Sequence, residues 1–216
     1  MEKGDIVLIE FVARLEDGEI FDLTSEEIAK KENIYNSRMT YGPVPIILGS
    51  ELSLPGLEKA LTEMKAGEEK DIIISPEDGF GTRNPKLMKI IPEKVFQRKR
   101  PMTGMIVDFS GVKGRIQSTL GGRIRVDFNH PLAGKKLLYH LKIVEHVTET
   151  KKKIESILKM FTITADELEV AENKAKITML KINSIFEEKI RELIKTYANA
   201  TTDFIWKEPQ AHDNKG

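Results

Sequence analysis

Residues able to do covalent or acid–base chemistry are few in this chain, and most of the usual sets are missing. No cysteine occurs among its 216 residues, which excludes disulfides, thiolate zinc sites, cysteine nucleophiles and thiol redox chemistry. No Gly-x-Gly-x-x-Gly follows a strand pattern, and neither Gly-x-x-x-x-Gly-Lys-Ser/Thr nor His-Glu-x-x-His is present. The sequence marks of dinucleotide binding, of a phosphate cradle and of a helical zinc site are therefore absent. The four histidines are His130, His140, His146 and His212. His140 and His146 stand six apart on one expected strand, so they share a face but are too distant to hold one ion; the expectation is a solvated β face. Asp22 and Asp127 have no serine or histidine neighbour that completes a triad. What remains is a group of aromatic and apolar residues beside turns: Phe11, Phe21 with Asp22, Val44, Leu54, Leu57, Phe80 and Tyr139. Singly, each is more often plain core. Together they offer an apolar environment, with no cofactor and no metal called for.

The elements that must position these residues can be read from pattern. Residues 5–15 form a strand rich in Ile, Val, Leu and Phe. Glu16-Asp17-Gly18-Glu19 turns it, since Asp-Gly tolerates positive φ, and 19–23 returns as the second arm of a hairpin. Residues 24–41 are polar with a short helical stretch. Val44 to Leu48 is a short strand whose Pro45 places it at an edge. Pro55 opens a helix where its missing N–H costs nothing. Leu57, Leu61 and Met64 make that helix's buried stripe, and Gly67 stops it. A strand over 69–75 and a loop over 76–81 follow, and Lys136 to Val147 is a long closing strand.

Charge separates one segment from the rest. Between Pro85 and Val126 there are ten Lys or Arg against Glu93 and Asp108, a net charge of +8 inside a chain whose formal charge is zero. That segment has its own strand patterns at 105–109, 114–118 and 123–127, with Gly121-Gly122 as a hairpin turn. A small β unit inserted into a host domain accounts for both features. Beyond it, 148–153 reads as a linker. Ile154, Ile157, Leu158 and Phe161 stripe one helix. A hairpin turns about Glu172-Asn173, and Ile182, Ile185, Phe186, Ile190, Leu193, Ile194 and Tyr197 stripe a longer helix before a last strand at 202–206. Gln210 to Gly216 is expected as a frayed tail. The fold class is α+β. No apolar run approaches the roughly 18 residues of a membrane span, and Met1 to Asp5 carries no signal-peptide core. The expectation is a cytoplasmic protein without a membrane partner.

Leu15-Glu16-Asp17-Gly18-Glu19-Ile20-Phe21-Asp22, then Leu48-Gly49, then Leu54-Pro55-Gly56-Leu57-Glu58-Lys59-Ala60-Leu61, then Ser75-Pro76-Glu77-Asp78-Gly79-Phe80-Gly81 stand in this order. The series resembles the FKBP-type peptidyl-prolyl cis-trans isomerases. Asn129-His130-Pro131-Leu132-Ala133-Gly134-Lys135 after an insert at Gly81 resembles the SlyD-like branch, in which a chaperone insert-in-flap domain interrupts that loop. The resemblance covers residues 4–147; the remainder looks like the C-terminal extension of long archaeal members. It implies an FKBP-type antiparallel sheet wrapped on a short helix over 1–84 plus 127–150. A β-rich insert then spans 85–126, and a C-terminal α+β domain spans 151–216.

The resemblance also implies a site. Phe21 would wall the pocket, with Asp22 facing the substrate carbonyl. Phe11 sits where many members have Tyr, Val44 at an aromatic wall position, and Tyr139 at a Phe position. Leu54 would offer its N–H to the ligand. Leu57 replaces a Trp floor, and Phe80 replaces a Tyr whose hydroxyl binds ligand. The pocket so altered stays apolar, which keeps isomerase activity but weakens the case for tight macrolide binding. The chemistry suits it. Rotation about X–Pro faces a barrier of about 18–20 kcal/mol from amide resonance, and the twisted amide is less polar than the planar one. An apolar pocket therefore favours it, and lowering the barrier by about 4–6 kcal/mol accelerates rotation roughly 10³–10⁴-fold.

In the insert, Ile90, Ile91, Val95, Phe96, Met102 and Met105 are the candidate contacts to unfolded chains, Met being suited to promiscuous apolar surfaces. The positive charge would draw acidic nascent chains, or ribosomal RNA at the ribosome; with only Phe96 and Phe109 available for stacking, polypeptide ranks first. The partners expected are therefore unfolded or partly folded proline-containing polypeptides. A homodimer through 151–216 is expected too, since the 182–197 stripe exceeds what one small sheet covers. The alternative to an isomerase-chaperone is a binding-only holdase with a weak prolyl pocket.

Overall fold

The structure is a computed structural model describing residues 1–96 and 100–207. Arg98, Lys99 and the expected tail Gln210 to Gly216 lie outside the described residues. In chain order the elements are β1 (Ile6–Leu15), β2 (Ile20–Leu23), α1 (Glu26–Lys31), β3 (Val44–Ile47), α2 (Pro55–Glu63) and β4 (Glu69–Ile74). Next come β5 (Met88–Pro92), β6 (Ile106–Phe109), β7 (Val112–Leu120), β8 (Arg123–Asp127) and β9 (Leu137–Val147). The chain continues with α3 (Thr150–Met160), β10 (Glu167–Ala171), β11 (Lys174–Leu180), α4 (Ser184–Leu193) and β12 (Thr201–Lys207). Two compact units result: Met1–Ile73 with Leu138–Gly216, and Ile74–Leu137.

In the first unit, strands run in the order β2-β1-β9-β4, and β3 also pairs with β1. Strand β1 is long enough to serve two partners. Its first half pairs antiparallel with β3, from Ile6↔Ile47 to Ile9↔Val44. Its second half pairs antiparallel with β2, through Val12↔Leu23 and Ala13↔Asp22, before a register shift at Ala13/Arg14. Neighbouring side chains on a strand point to opposite faces. Ile6 and Val7 are both fully buried, so β1 is covered on both sides.

Part of that cover comes from the C-terminal segment. Ile154, Ile157 and Leu158 of α3, Ile177 and Met179 of β11, and Ile190, Leu193 and Ile194 form one apolar cluster with Ile6, Ile47 and Val147. Residues expected as a separate small domain thus share a core with the amino-terminal strands. The expected linker at 148–153 is corrected: only Thr148 and Glu149 separate the end of β9 from the start of α3 at Thr150. The Lys152 ammonium meets Glu145 on β9 at 2.8 Å, and Ile154 is fully buried; one buried position at the helix start outweighs a run of lysines that can all face water. The stripe expected over 182–197 forms α4 and a π-turn over Ile194–Ala198 that ends on Asn199 at φ 51°. Most of its apolar residues are covered, but Ile185 and Phe186 remain 74% and 54% exposed. Strands β10 and β11 pair antiparallel about the expected turn, and β12 adds in parallel to β11.

The second unit is built on an antiparallel sheet in the order β5-β8-β7-β6. Ile116, Ile124 and Val126 form its small core, with Ile91, Phe96, Met105, Val107 and Phe128 packed against them. Strand β5 was not expected from the sequence: its Lys-flanked Ile pair gives no alternation. Pairing with β8, Ile91 opposite Ile124, makes it a strand.

Candidate active site

Three adjacent strands bring three rings together. Phe11 on β1 and Phe21 on β2 both lie against Tyr139 on β9, with ring centroids 5.5 Å apart at 48° and 6.0 Å apart at 78°. These are the tilted and edge-on arrangements that aromatic quadrupoles favour. The hairpin end that carries Phe11 and Phe21 is fastened by Thr24, whose Oγ1 accepts from the Phe11 N–H at 2.9 Å while its own N–H donates to the Phe11 carbonyl at 3.0 Å.

Asp22 follows Phe21 directly. Its residue surface is exposed, yet surrounding protein partly desolvates the carboxyl and raises its pKa, while the Leu23 N–H, donating to Oδ1 at 2.9 Å, pulls it back. Tyr139 is only 5% exposed. Burial pushes its hydroxyl up to about 12, and the Asp22 charge adds to the shift.

The remaining candidates of this unit sit on two short elements. Val44 is the half-buried first residue of β3, and Leu57 is buried on α2. Leu54 is the residue before α2, in extended conformation, with Pro55 starting the helix behind it. Its carbonyl accepts from the N–H groups of Leu57 and Glu58, but its own N–H meets no acceptor among the described residues. Glu58 holds the preceding loop: its carboxylate accepts from the Gly49 N–H at 3.0 Å and from the Ser53 hydroxyl at 2.8 Å. Gly49 turns at φ 74°, a conformation glycine adopts at little cost. Nothing in the sequence marked Glu58 beyond its place in a helix's first turn.

The two histidines of β9 each have their own carboxylate. His140 Nδ1 is 2.7 Å from Asp71 and His146 Nε2 is 3.3 Å from Asp5.

Phe80 belongs to the second unit, where its ring stacks on His130 at 4.3 Å and 11°. The base of the insert is fastened by amide chemistry. The Asn129 side chain accepts from the Asn84 N–H at 2.8 Å and donates to the Asn84 carbonyl at 3.1 Å and to Asp127 at 2.7 Å. Asp127 is buried and paired with Arg83 at 2.7 Å. Burial alone would raise its pKa; the Asn129 hydrogen bonds and the Arg83 charge outweigh it and hold the carboxyl low. The sequence offered Asp127 only as a carboxylate without a triad; its role here is to tie the insert's return to its start. Of the insert candidates, Ile90, Val95 and Met102 are exposed, while Ile91, Phe96 and Met105 pack beside the small core.

A family model described as FKBP-type peptidyl-prolyl cis-trans isomerase matches residues 1–97, and one described as FKBP26, IF domain, matches residues 89–132. A short-type peptidyl-prolyl cis-trans isomerase of Methanocaldococcus jannaschii is 35% identical over 145 residues, which is 66% of this chain and 92% of that protein. The chain belongs to the FKBP-type peptidyl-prolyl cis-trans isomerases. A probable FKBP-type 16 kDa isomerase of Pseudomonas fluorescens is 32% identical over 64% of this chain and 87% of its own length. The isomerase SlyD of Helicobacter pylori is 29% identical over 52% and 63% respectively. As an FKBP-type isomerase with an insert-in-flap domain, the chain is a rotamase whose substrates are proline-containing polypeptides. Among its described residues no helix is long and apolar enough to cross a membrane.

Proposed function

We propose that the rotamase acts on X–Pro bonds of unfolded and partly folded chains, at a site made by Phe11, Phe21, Asp22, Val44, Leu54, Leu57 and Tyr139. The observation that carries this reading is the ring wall of Phe11, Phe21 and Tyr139 beside Asp22. The wall supplies a weakly polar surface for the twisted amide, which is less polar than the planar one. A single N–H, that of Leu54, can hold the peptide without opposing rotation. Asp22 lies where a carboxylate can act on the rotating carbonyl's dipole. Phe80 joins this set on its motif, Glu77-Asp78-Gly79-Phe80-Gly81.

The insert, 85–126, acts as a chaperone module. Ile90, Val95 and Met102 make its first contacts with apolar stretches of a client, and Ile91, Phe96 and Met105 shape the surface beneath them. Its +8 charge favours acidic chains. Residues 151–216 pair two copies through the exposed Ile185 and Phe186. A protease-free refolding assay on a protein whose slow phase is prolyl isomerisation tests the whole reading. Acceleration of that phase at catalytic amounts is expected. Suppressed aggregation without acceleration would leave a holdase.

A further inference from the structure

Phe80 stands between Gly79 and Gly81 in a loop whose backbone is well tied. The N–H groups of both glycines donate to the Pro76 carbonyl, at 3.2 and 2.7 Å, and the Gly81 carbonyl accepts from the Gly134 N–H at 2.8 Å. A Cβ at Gly79 would stand 3.1 Å from the Ser75 carbonyl oxygen and 3.2 Å from Leu137 Cδ1, so the chain passes its neighbours closely there. A fixed backbone does not fix the ring, which still has several staggered positions open to it. Phe80 is half-buried, and its ring lies on the His130 imidazole at 4.3 Å and 11°.

His130 can hold that ring because it is held itself. Its Nδ1 accepts from the Leu132 N–H at 3.2 Å, and its carbonyl accepts from the N–H of buried Ala133 at 2.9 Å. On its other side in the chain, Asn129 bonds Asn84 and Asp127 at the base of the insert. The imidazole thus has a set place although the residue is exposed, and it covers one face of Phe80.

We propose that His130 is a positioning residue of the rotamase: its imidazole face orients the Phe80 ring for the prolyl peptide. This rests on the assignment of Phe80 to the prolyl site and adds the residue that aims it. A ring already aimed costs the bound state no rotamer freedom. The neck of the insert and the clamp on Phe80 occupy adjacent residues, 129 and 130, so the hydrogen bonds that close the neck also steady the clamp.

His130→Leu keeps a side chain of similar bulk and removes the flat face. On a short prolyl peptide kcat/KM should fall about three- to tenfold, the scale of one aromatic pair. His130→Phe, which restores a flat ring, should recover most of that loss. In a Phe80→Ala background, His130→Leu should cost nothing further, because its effect runs through the Phe80 ring; a general structural role would lower activity alike in both backgrounds. Three results would overturn the proposal while leaving Phe80 in the site: wild-type kcat/KM in His130→Leu, equal losses in the two backgrounds, or a His130→Phe variant as slow as His130→Leu. Wild-type rates in Phe80→Ala alone would instead remove Phe80 from the site, and this role of His130 with it.

Discussion

Asp22 sets two demands against each other. Its pKa is raised chiefly by burial, with the Leu23 N–H opposing, so folding makes the carboxyl easier to protonate than it is in the unfolded chain. Stability from this group is present at low pH and is lost as pH rises through the raised value. Asp22→Asn should therefore leave stability at pH 7 equal or slightly higher, the effect being small because the residue is exposed. Turnover on prolyl peptides should fall about tenfold, the scale of one lost electrostatic contact to a transition state. Urea midpoints at pH 4 and pH 7 beside kcat/KM measure both; a variant with full turnover would leave Asp22 a structural turn residue. Phe80→Ala carries the parallel expectation for the loop motif: a folded far-UV spectrum and lower turnover. Wild-type rates in that variant would take Phe80 out of the site.

Among the elements, the four-stranded sheet of the insert has the least core to lose. Gly114 on β7 lies where a Cβ would stand 2.6 Å from Val126 Cγ1 and 2.8 Å from the Phe128 ring. Both neighbours are packed in the small core, and neither can retreat without opening it. Gly114→Val should unfold the insert sheet, at a cost of the 1–3 kcal/mol typical of overpacking or more. Activity on short prolyl peptides should persist, while acceleration of refolding on whole proteins drops severalfold, because client capture raises the local concentration of prolines. Comparing the two assays on one preparation decides it. Equal loss on both substrates would mean that the insert and the prolyl site do not divide the work as proposed. Helix α3 is the opposite case. It packs on β3, whose first residue is Val44, and the Lys159 ammonium reaches the Pro43 carbonyl at 2.6 Å. An element outside the isomerase motifs thus braces the strand that carries Val44, a residue proposed for the site.

For the molecule as a whole, the exposed pair Ile185 and Phe186 at the start of α4 is the feature that calls for a partner. Phe186 already touches Phe161 edge-on at 6.1 Å, so the pair continues the apolar surface of α3. A two-fold related copy would bury it and give two catalytic arms a joint hold on one client. Light scattering on the full chain at micromolar concentration should report twice the chain mass of 24.5 kDa. Phe186→Glu should return a folded monomer. A monomeric wild-type chain would sink the dimer; a Phe186→Glu variant that still pairs would place the interface elsewhere.

Sequence alone determined the strand hairpin at β1–β2, the helix behind Pro55 and the separate character of the charged insert, while Phe11, Phe21, Asp22 and Tyr139 came together as a set only through the family resemblance. Each rests on local rules: Asp-Gly turns, Pro at a helix start, periodicity, charge bias, or motifs whose order is written along the chain. Tertiary structure decided what depends on partners distant in sequence. Lys-rich residues 151–153 belong to a helix because Ile154 finds Ile6 and Ile47. Ile90 and Ile91 lie in a strand because β8 pairs with them, which splits the six insert candidates into exposed and packed. Asp127 serves the neck of the insert because Arg83, more than 40 residues away, pairs with it, and because the Asn129 side chain that donates to it also bonds Asn84.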